Sequence, residues 1–276
     1  MGLLLSRKSV FFFLIPIGIM LCAVPAHADG PLADVKSFVT QEAKALANES
    51  ADLVTTPFRI DNGEILGTLA VAGAVGLAYV FDNNIRDKIA ANRSSTLDKA
   101  SDAGNLIGDP FLHLGIAGAV WGGGILADSP KWREVGLMMG EAAVLADAST
   151  FILKSGVGRA RPYTERGRAS FRPFQFSSDY DSMPSMHTSS SFAMASVIAR
   201  TSESVPVALL SYTTAAFVGF SRIYKDKHWA SDVVLGAAIG ELAGRVVTRF
   251  HAGGGKLAIV PAASANSASL ALVGSF

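Results

Sequence analysis

Apolar residues gather in six long blocks, near 65–81, 111–127, 136–153, 188–199, 205–220 and 231–247, each rich in Ala, Gly, Val and Leu. The blocks are longer than ordinary strands. The intervals carry helix-breaking punctuation at Asp82-Asn83-Asn84, Asp128-Ser129-Pro130 and Ser202-Glu203-Ser204, so the pattern predicts six helices. No alternation of strand and helix patterns suggests a Rossmann-type sheet. Upstream, the mixed polar segment 29–63 contains an amphipathic pattern over 32–53 that fits a surface or docking helix. The stretch 154–187 has no helical period and holds Arg, Gly, Pro, Ser and aromatic residues; long loops on helical scaffolds usually carry function. Beyond Gly253-Gly254-Gly255, two apolar runs flank a polar turn, which fits either a small β-hairpin or an Ala/Ser-rich tail. The expected fold class is all-α. A bundle of about six core helices occupies 64–251, with its site at one end and a tail or hairpin over 252–276.

The first residues follow another pattern. Arg7 and Lys8 precede an apolar run from Val10 to Val24, and Ala26-His27-Ala28 follows as a small-x-small cleavage site. Residues 1–28 therefore read as a signal peptide, since about 15 apolar residues broken by a proline are short for a span of about 20. Export to the periplasm or cell envelope is the expected localisation.

Composition narrows the function classes. With 276 residues and 50% hydrophobic content, the chain can build one large domain with a thick core. Its 24 basic and 23 acidic side chains nearly cancel, so nucleic acid is not an expected partner. The single cysteine, Cys22, excludes an intramolecular disulfide and a multi-cysteine zinc site.

Three short clusters stand at helix mouths. Lys154 precedes Arg161-Pro162 by seven positions; Pro184-Ser185-Met186-His187 opens the fourth block, where Thr188 and Ser189 are candidate caps; Ser221-Arg222 leads to His228 and Asp232. In an up-and-down bundle all three meet at one end. The 228/232 spacing is one helical turn, which would set a carboxylate beneath an imidazole on one face. A phosphate dianion needs fixed cations and N–H donors, and its displacement needs a nucleophile and an acid. Lys154, Arg161 and Arg222 are the candidate cations, the amides after Pro184 the candidate donors, and the two histidines the candidate nucleophile and acid. Trp229 reads as a packing residue. Arg159, Arg166, Arg168 and Arg172 read as a solvated basic loop, and Glu141 and Asp147 are expected to point inward.

Lys154-x6-Arg161-Pro162, Pro184-Ser185-x-His187 and Ser221-Arg222-x5-His228-x3-Asp232 together resemble the three-part signature of the type 2 phosphatidic acid phosphatase superfamily, which also contains class A acid phosphatases and vanadium haloperoxidases. The resemblance covers about residues 65–250. It implies a phosphatase in which His228 forms a phosphohistidine, Asp232 orients it, and His187 is general acid and then base. Lys154, Arg161, Arg222, Ser185 and the Met186 amide would bind the phosphoryl group. No cofactor and no metal are expected, because no cluster supplies the ligand set of a catalytic ion. Met186 stands where the family usually has glycine, which would narrow the pocket without changing the chemistry.

Expected substrates are lipid phosphates such as phosphatidic acid or a polyprenyl diphosphate, with membrane association; a soluble acid phosphatase acting on small phosphomonoesters is the alternative. A vanadate haloperoxidase, a phosphotransferase and a non-catalytic envelope protein with an anion pocket are further readings of the same residues. Orientation adds a constraint. A removed leader followed by a crossing at 65–81 would put the clusters in the cytoplasm, whereas the family's integral members are expected to carry them outside. Either the bundle is wholly exported or one apolar block does not cross.

Overall fold

The computed structural model describes residues 31–59, 64–253, 258–264 and 267–273; the expected signal peptide lies outside these residues. Among them are eight α-helices: α1 (Pro31–Thr55), α2 (Glu64–Ala91), α3 (Ser95–Ile107), α4 (Pro110–Leu126), α5 (Pro130–Val157), α6 (Met186–Thr201), α7 (Val205–Tyr224) and α8 (Ala230–His251). All six predicted blocks are helical, and the amphipathic segment at 32–53 forms α1. The backbone of β1 (Ala258–Ser264) pairs antiparallel with β2 (Ser267–Val273), the hairpin arrangement of the tail.

Helix α3 was not among the predicted elements. Its sequence is polar and short, so it raises no apolar block, yet its ends are well marked. Ser94 Oγ accepts from Leu97 N at 3.3 Å, and Gly108 closes the helix through its N–H to Gly104 O at 3.0 Å. Asp109 then caps α4 through Phe111 N and Leu112 N, with Pro110 in the first turn.

The core is built where α5, α6 and α8 meet. Ala142, Ala143 and Ala146 of α5, Ala193 and Val197 of α6, and Ala243 and Val247 of α8 are all solvent-inaccessible. Small residues let these helices approach closely. A Cβ placed on Gly240 would stand 2.1 Å from Ser189 O, and one on Gly236 2.6 Å from Ser185 O, so glycine at both positions fixes α8 against the start of α6. Ser185 N donates to Asp232 O at 3.0 Å across this contact.

Helices α2 and α5 are long and apolar enough to cross a membrane. They differ in setting: the apolar window of α5 is mostly buried, whereas none of that of α2 is. Leu66, Leu69 and Leu77 of α2 are each more than 60% exposed.

Candidate active site

The predicted clusters come together at one end of the bundle, but the elements that carry them begin and end differently from expectation. Lys154 belongs to the last turn of α5 rather than to the loop. The helix stops at Gly158, whose φ of 58° is left-handed and whose missing Cβ leaves room for Arg172 O. The connecting loop therefore runs from 158 to 185. It folds back on itself through Arg172 N to Gly158 O at 2.7 Å and Ala160 N to Ser170 O at 2.8 Å.

Asp181 organises the first cluster. Its carbonyl accepts from Lys154 Nζ, and its carboxylate Oδ1 accepts from Arg161 Nε at 2.6 Å. Arg161 is further held by Lys227 O at 3.5 Å. No spacing rule singles out Asp181, since it lies in the loop and acts through both its main chain and its side chain.

Helix α6 opens one turn earlier than the Thr188/Ser189 capping expectation. Ser185 occupies the N-cap position, so Met186 and His187 form the first turn, whose amides have no acceptor within the helix. Met186 has helical backbone geometry, so its N–H takes part in this set of donors. Ser185 is fully buried, and its Oγ accepts from Thr188 Oγ1 at 2.9 Å.

Arg222, in the last turn of α7, is fixed by Asn105 Oδ1 from the unpredicted helix α3 through its Nη1. Its Nε is buried and has no hydrogen-bond partner. A guanidinium N–H kept out of water without an acceptor is poised for an anionic ligand.

His228 lies before α8, not on it. Its Nδ1 stands 2.6 Å from Ser182 O and 3.8 Å from Asp232 Oδ2, so the one-turn stacking expected from the spacing is replaced by a contact to a carbonyl. A carbonyl oxygen can only accept, so Nδ1 carries the proton and Nε2 keeps a free lone pair. Asp232 acts one step removed. Its Oδ2 accepts from Ser182 Oγ at 2.5 Å and from Trp229 N at 2.8 Å, gripping the residues on either side of the imidazole.

The expectation of a solvated Arg159 is overturned. Arg159 is 0% exposed and bridges Asp232 Oδ1 at 2.5 Å and Asp82 Oδ2 at 2.7 Å, two carboxylates that are themselves buried. Asp82 Oδ2 also accepts from Ser231 Oγ at 2.7 Å. The sequence pattern marks Asp82 as helix punctuation, whereas it is a buried charge inside α2, which continues through Asn83 and Asn84 to Ala91. Arg168 is also tied down, with Nη1 2.8 Å from Tyr79 O, while Arg166 and Arg172 lie against the Tyr180 ring. Trp229 packs as expected, 2% exposed and donating Nε1 to Ala160 O at 3.0 Å. Glu141 and Asp147 are buried, also as expected.

Electrostatics follow from this crowding. Burial, and then the charges of Lys154, Arg161 and Arg222, push the His228 imidazole well below its usual value. His187 is lowered to about 3 by burial and by Arg222, Lys154 and Arg161. Without a ligand both rings are neutral near pH 7. The arrangement offers a neutral nitrogen nucleophile and a second imidazole within a cage of three cations and first-turn amides, a setting made for a tetrahedral dianion.

Comparison with known proteins points to a superfamily of phosphatases. The sequence model of the PAP2 superfamily matches residues 135–255, a span that contains all three clusters. The lipid A 1-phosphatase of Porphyromonas gingivalis is 31% identical over 182 residues, which are 65% of this chain and 37% of that protein. The lipid A 1-phosphatase of Rhizobium johnstonii is 34% identical over 91 residues, 32% of this chain and 36% of that protein. The matched regions thus span little more than a third of the length of these relatives. Among solved structures, a transmembrane PAP2 type phosphatidylglycerolphosphate phosphatase from Bacillus subtilis shares the fold, with a TM-score of 0.51, 20% identity, and coverage of 68% of this chain and 94% of that one.

Proposed function

Because the chain belongs to the PAP2 superfamily, we propose that it is a membrane-associated phosphatase that removes phosphate from a lipid through a phosphohistidine on His228. The observation that carries this reading is the 2.6 Å contact from His228 Nδ1 to Ser182 O, which leaves Nε2 unprotonated inside the cationic cage. Nε2 attacks phosphorus as the ester P–O bond breaks, and His187 gives its proton to the departing oxygen. Water then attacks phosphorus, His187 takes the water's proton, and the N–P bond breaks to release phosphate. The dianion itself supplies the charge that lets the otherwise neutral His187 hold a proton in the complex. Lys154, Arg161 and Arg222 neutralise the equatorial oxygens, and the Met186 and His187 amides add donors at the helix start.

A lipid substrate is supported by two observations. The relatives named above are lipid A 1-phosphatases, and α2 exposes leucines along a face that no described helix covers. That much exposed apolar surface is suited to lipid contact. A phosphate on a glycolipid or glycerolipid is therefore favoured over small soluble monoesters. The leader pattern of residues 1–28 supports a place in the cell envelope.

The test is phosphate release by the purified chain in EDTA from lipid A, phosphatidic acid, a polyprenyl diphosphate and p-nitrophenyl phosphate, with His228→Ala alongside. Release that persists in EDTA, disappears in the variant and prefers a lipid is the expected result. Equal release by the variant would overturn the histidine mechanism, and a preference for p-nitrophenyl phosphate would overturn the lipid assignment.

A further inference from the structure

A second group of ionisable residues lies far from the phosphate pocket. His251 ends α8, nineteen residues beyond Asp232, which is about 28 Å along the helix axis. There α1, α5 and α8 converge. Glu49 of α1 is 1% exposed, and neither of its carboxylate oxygens has a hydrogen-bond partner. Glu141 of α5 is 3% exposed; its Oε2 is 2.7 Å from His251 Nε2, and its Oε1 has no partner. One ligand atom from each of Glu49, Glu141 and His251 lies within 4.8 Å of the others. Glu42, two turns before Glu49 on α1, also bears on Glu141.

A carboxylate withdrawn from water with both oxygens unbonded is costly, and native proteins rarely leave one so. A protonated His251 would answer Glu141 but would leave Glu49 without a donor. A divalent ion at the centre answers all three at once. The donor set, one imidazole nitrogen and two carboxylates, suits zinc and its neighbours better than calcium or magnesium, which prefer all-oxygen shells. The far side of the imidazole fits the same picture. His251 Nδ1 stands 3.5 Å from Glu134 Oε1, the placement in which a carboxylate steadies a metal-ligating histidine and fixes its tautomer.

We propose that Glu49, Glu141 and His251 form a binding site for a divalent ion of the zinc class that clips α1 to the bundle. The three helices are already aligned for it. Leu53 of α1 is part of the core, and Asp52 pairs with Arg59 and with Arg249 of α8, so the last turns of α1 are held in place and Glu49 is presented inward. The ion would extend this attachment by one more turn along α1. It has no part in phosphate chemistry, so activity in EDTA and metal binding at this site are separate questions with separate outcomes.

The test uses the full chain, stripped with chelator, dialysed and titrated with zinc chloride by calorimetry, with bound metal counted by mass spectrometry. The expected result is one zinc per chain, weakened at least about 100-fold in Glu49→Gln and in His251→Gln and unchanged in His187→Ala. Zinc should also raise the melting temperature of the wild type and of His187→Ala but not of Glu49→Gln. Release of p-nitrophenyl phosphate by Glu49→Gln in EDTA checks that this variant is folded; if it is inactive, Glu141→Gln takes its place. Equal zinc binding by the wild type and the glutamine variants would overturn the proposal. So would binding lost only in His187→Ala, which would put the ion in the phosphate pocket, or no stoichiometric binding by the wild type.

Discussion

His228 donates from Nδ1 to the carbonyl of Ser182 at 2.6 Å, and the hydroxyl of the same serine donates to Asp232 at 2.5 Å. Ser182 is thus the joint through which the carboxylate steers the imidazole. Ser182→Ala keeps the carbonyl and removes the joint. A charge-assisted hydrogen bond of this kind is worth about 1.5–3 kcal/mol, so kcat should fall roughly 10-fold to 100-fold with little change in KM. Asp232→Asn should cost at least as much, because it also weakens the grip on Trp229 N. Steady-state kinetics on p-nitrophenyl phosphate checks both; a Ser182→Ala enzyme with wild-type kcat would show that the serine hydroxyl does not position the ring.

Arg159 governs stability rather than binding. It is the shared partner of Asp82 and Asp232, and all three side chains are withdrawn from water. Arg159→Met would leave two buried carboxylates facing each other without a counter-charge. Removing one member of such a set costs about 3–5 kcal/mol, so the variant should melt well below the wild type, whereas Arg166→Met should be nearly neutral. Thermal denaturation of the two variants side by side makes the comparison.

These two cases mark how far the sequence is legible. The helical blocks are, because long apolar runs broken by Asp, Asn, Ser and Pro have one common solution, and so are Lys154, Arg161, Arg222, His187, His228 and Asp232, whose spacings form a signature. Partners chosen by tertiary structure are not. Ser182 serves through a carbonyl that every residue possesses, Asp82 resembles any helix-ending aspartate, and Arg159 sits in a loop where four other arginines keep at least partial contact with solvent. The one-turn relation of His228 and Asp232 fails for a local reason. The helix begins only at Ala230, so the imidazole is outside the helical repeat that the spacing assumes.

Helix α3 supplies a prediction that the apolar pattern hides. Asn105 holds Nη1 of Arg222, whose Nε is buried without a partner. Asn105→Ala should free the guanidinium without removing its charge. Phosphate affinity then suffers more than the chemical step, with KM or the inhibition constant for vanadate rising about 10-fold and kcat changing less than about 3-fold. Arg222→Ala should depress both. A kcat loss in Asn105→Ala equal to that of Arg222→Ala would mean that α3 holds up more of the site than this one side chain.

The pH dependence of stability follows from the neutral histidines. His187 has a folded value of about 3, far below the unfolded value of about 6.5, so its neutral form is the one the fold prefers. The sign is therefore fixed: its contribution is fully present above about pH 6.5 and is lost as pH falls, at about 1.4 kcal/mol per pH unit, until the folded value is reached. His187→Gln removes this term. Chemical denaturation between pH 7 and pH 5 should show the wild type losing stability more steeply than the variant by roughly that slope. Saturating vanadate should flatten the wild-type curve, because a bound oxyanion raises the histidine toward its unfolded value. Parallel slopes in the two proteins without vanadate would mean that His187 is not held neutral by burial and its cationic neighbours.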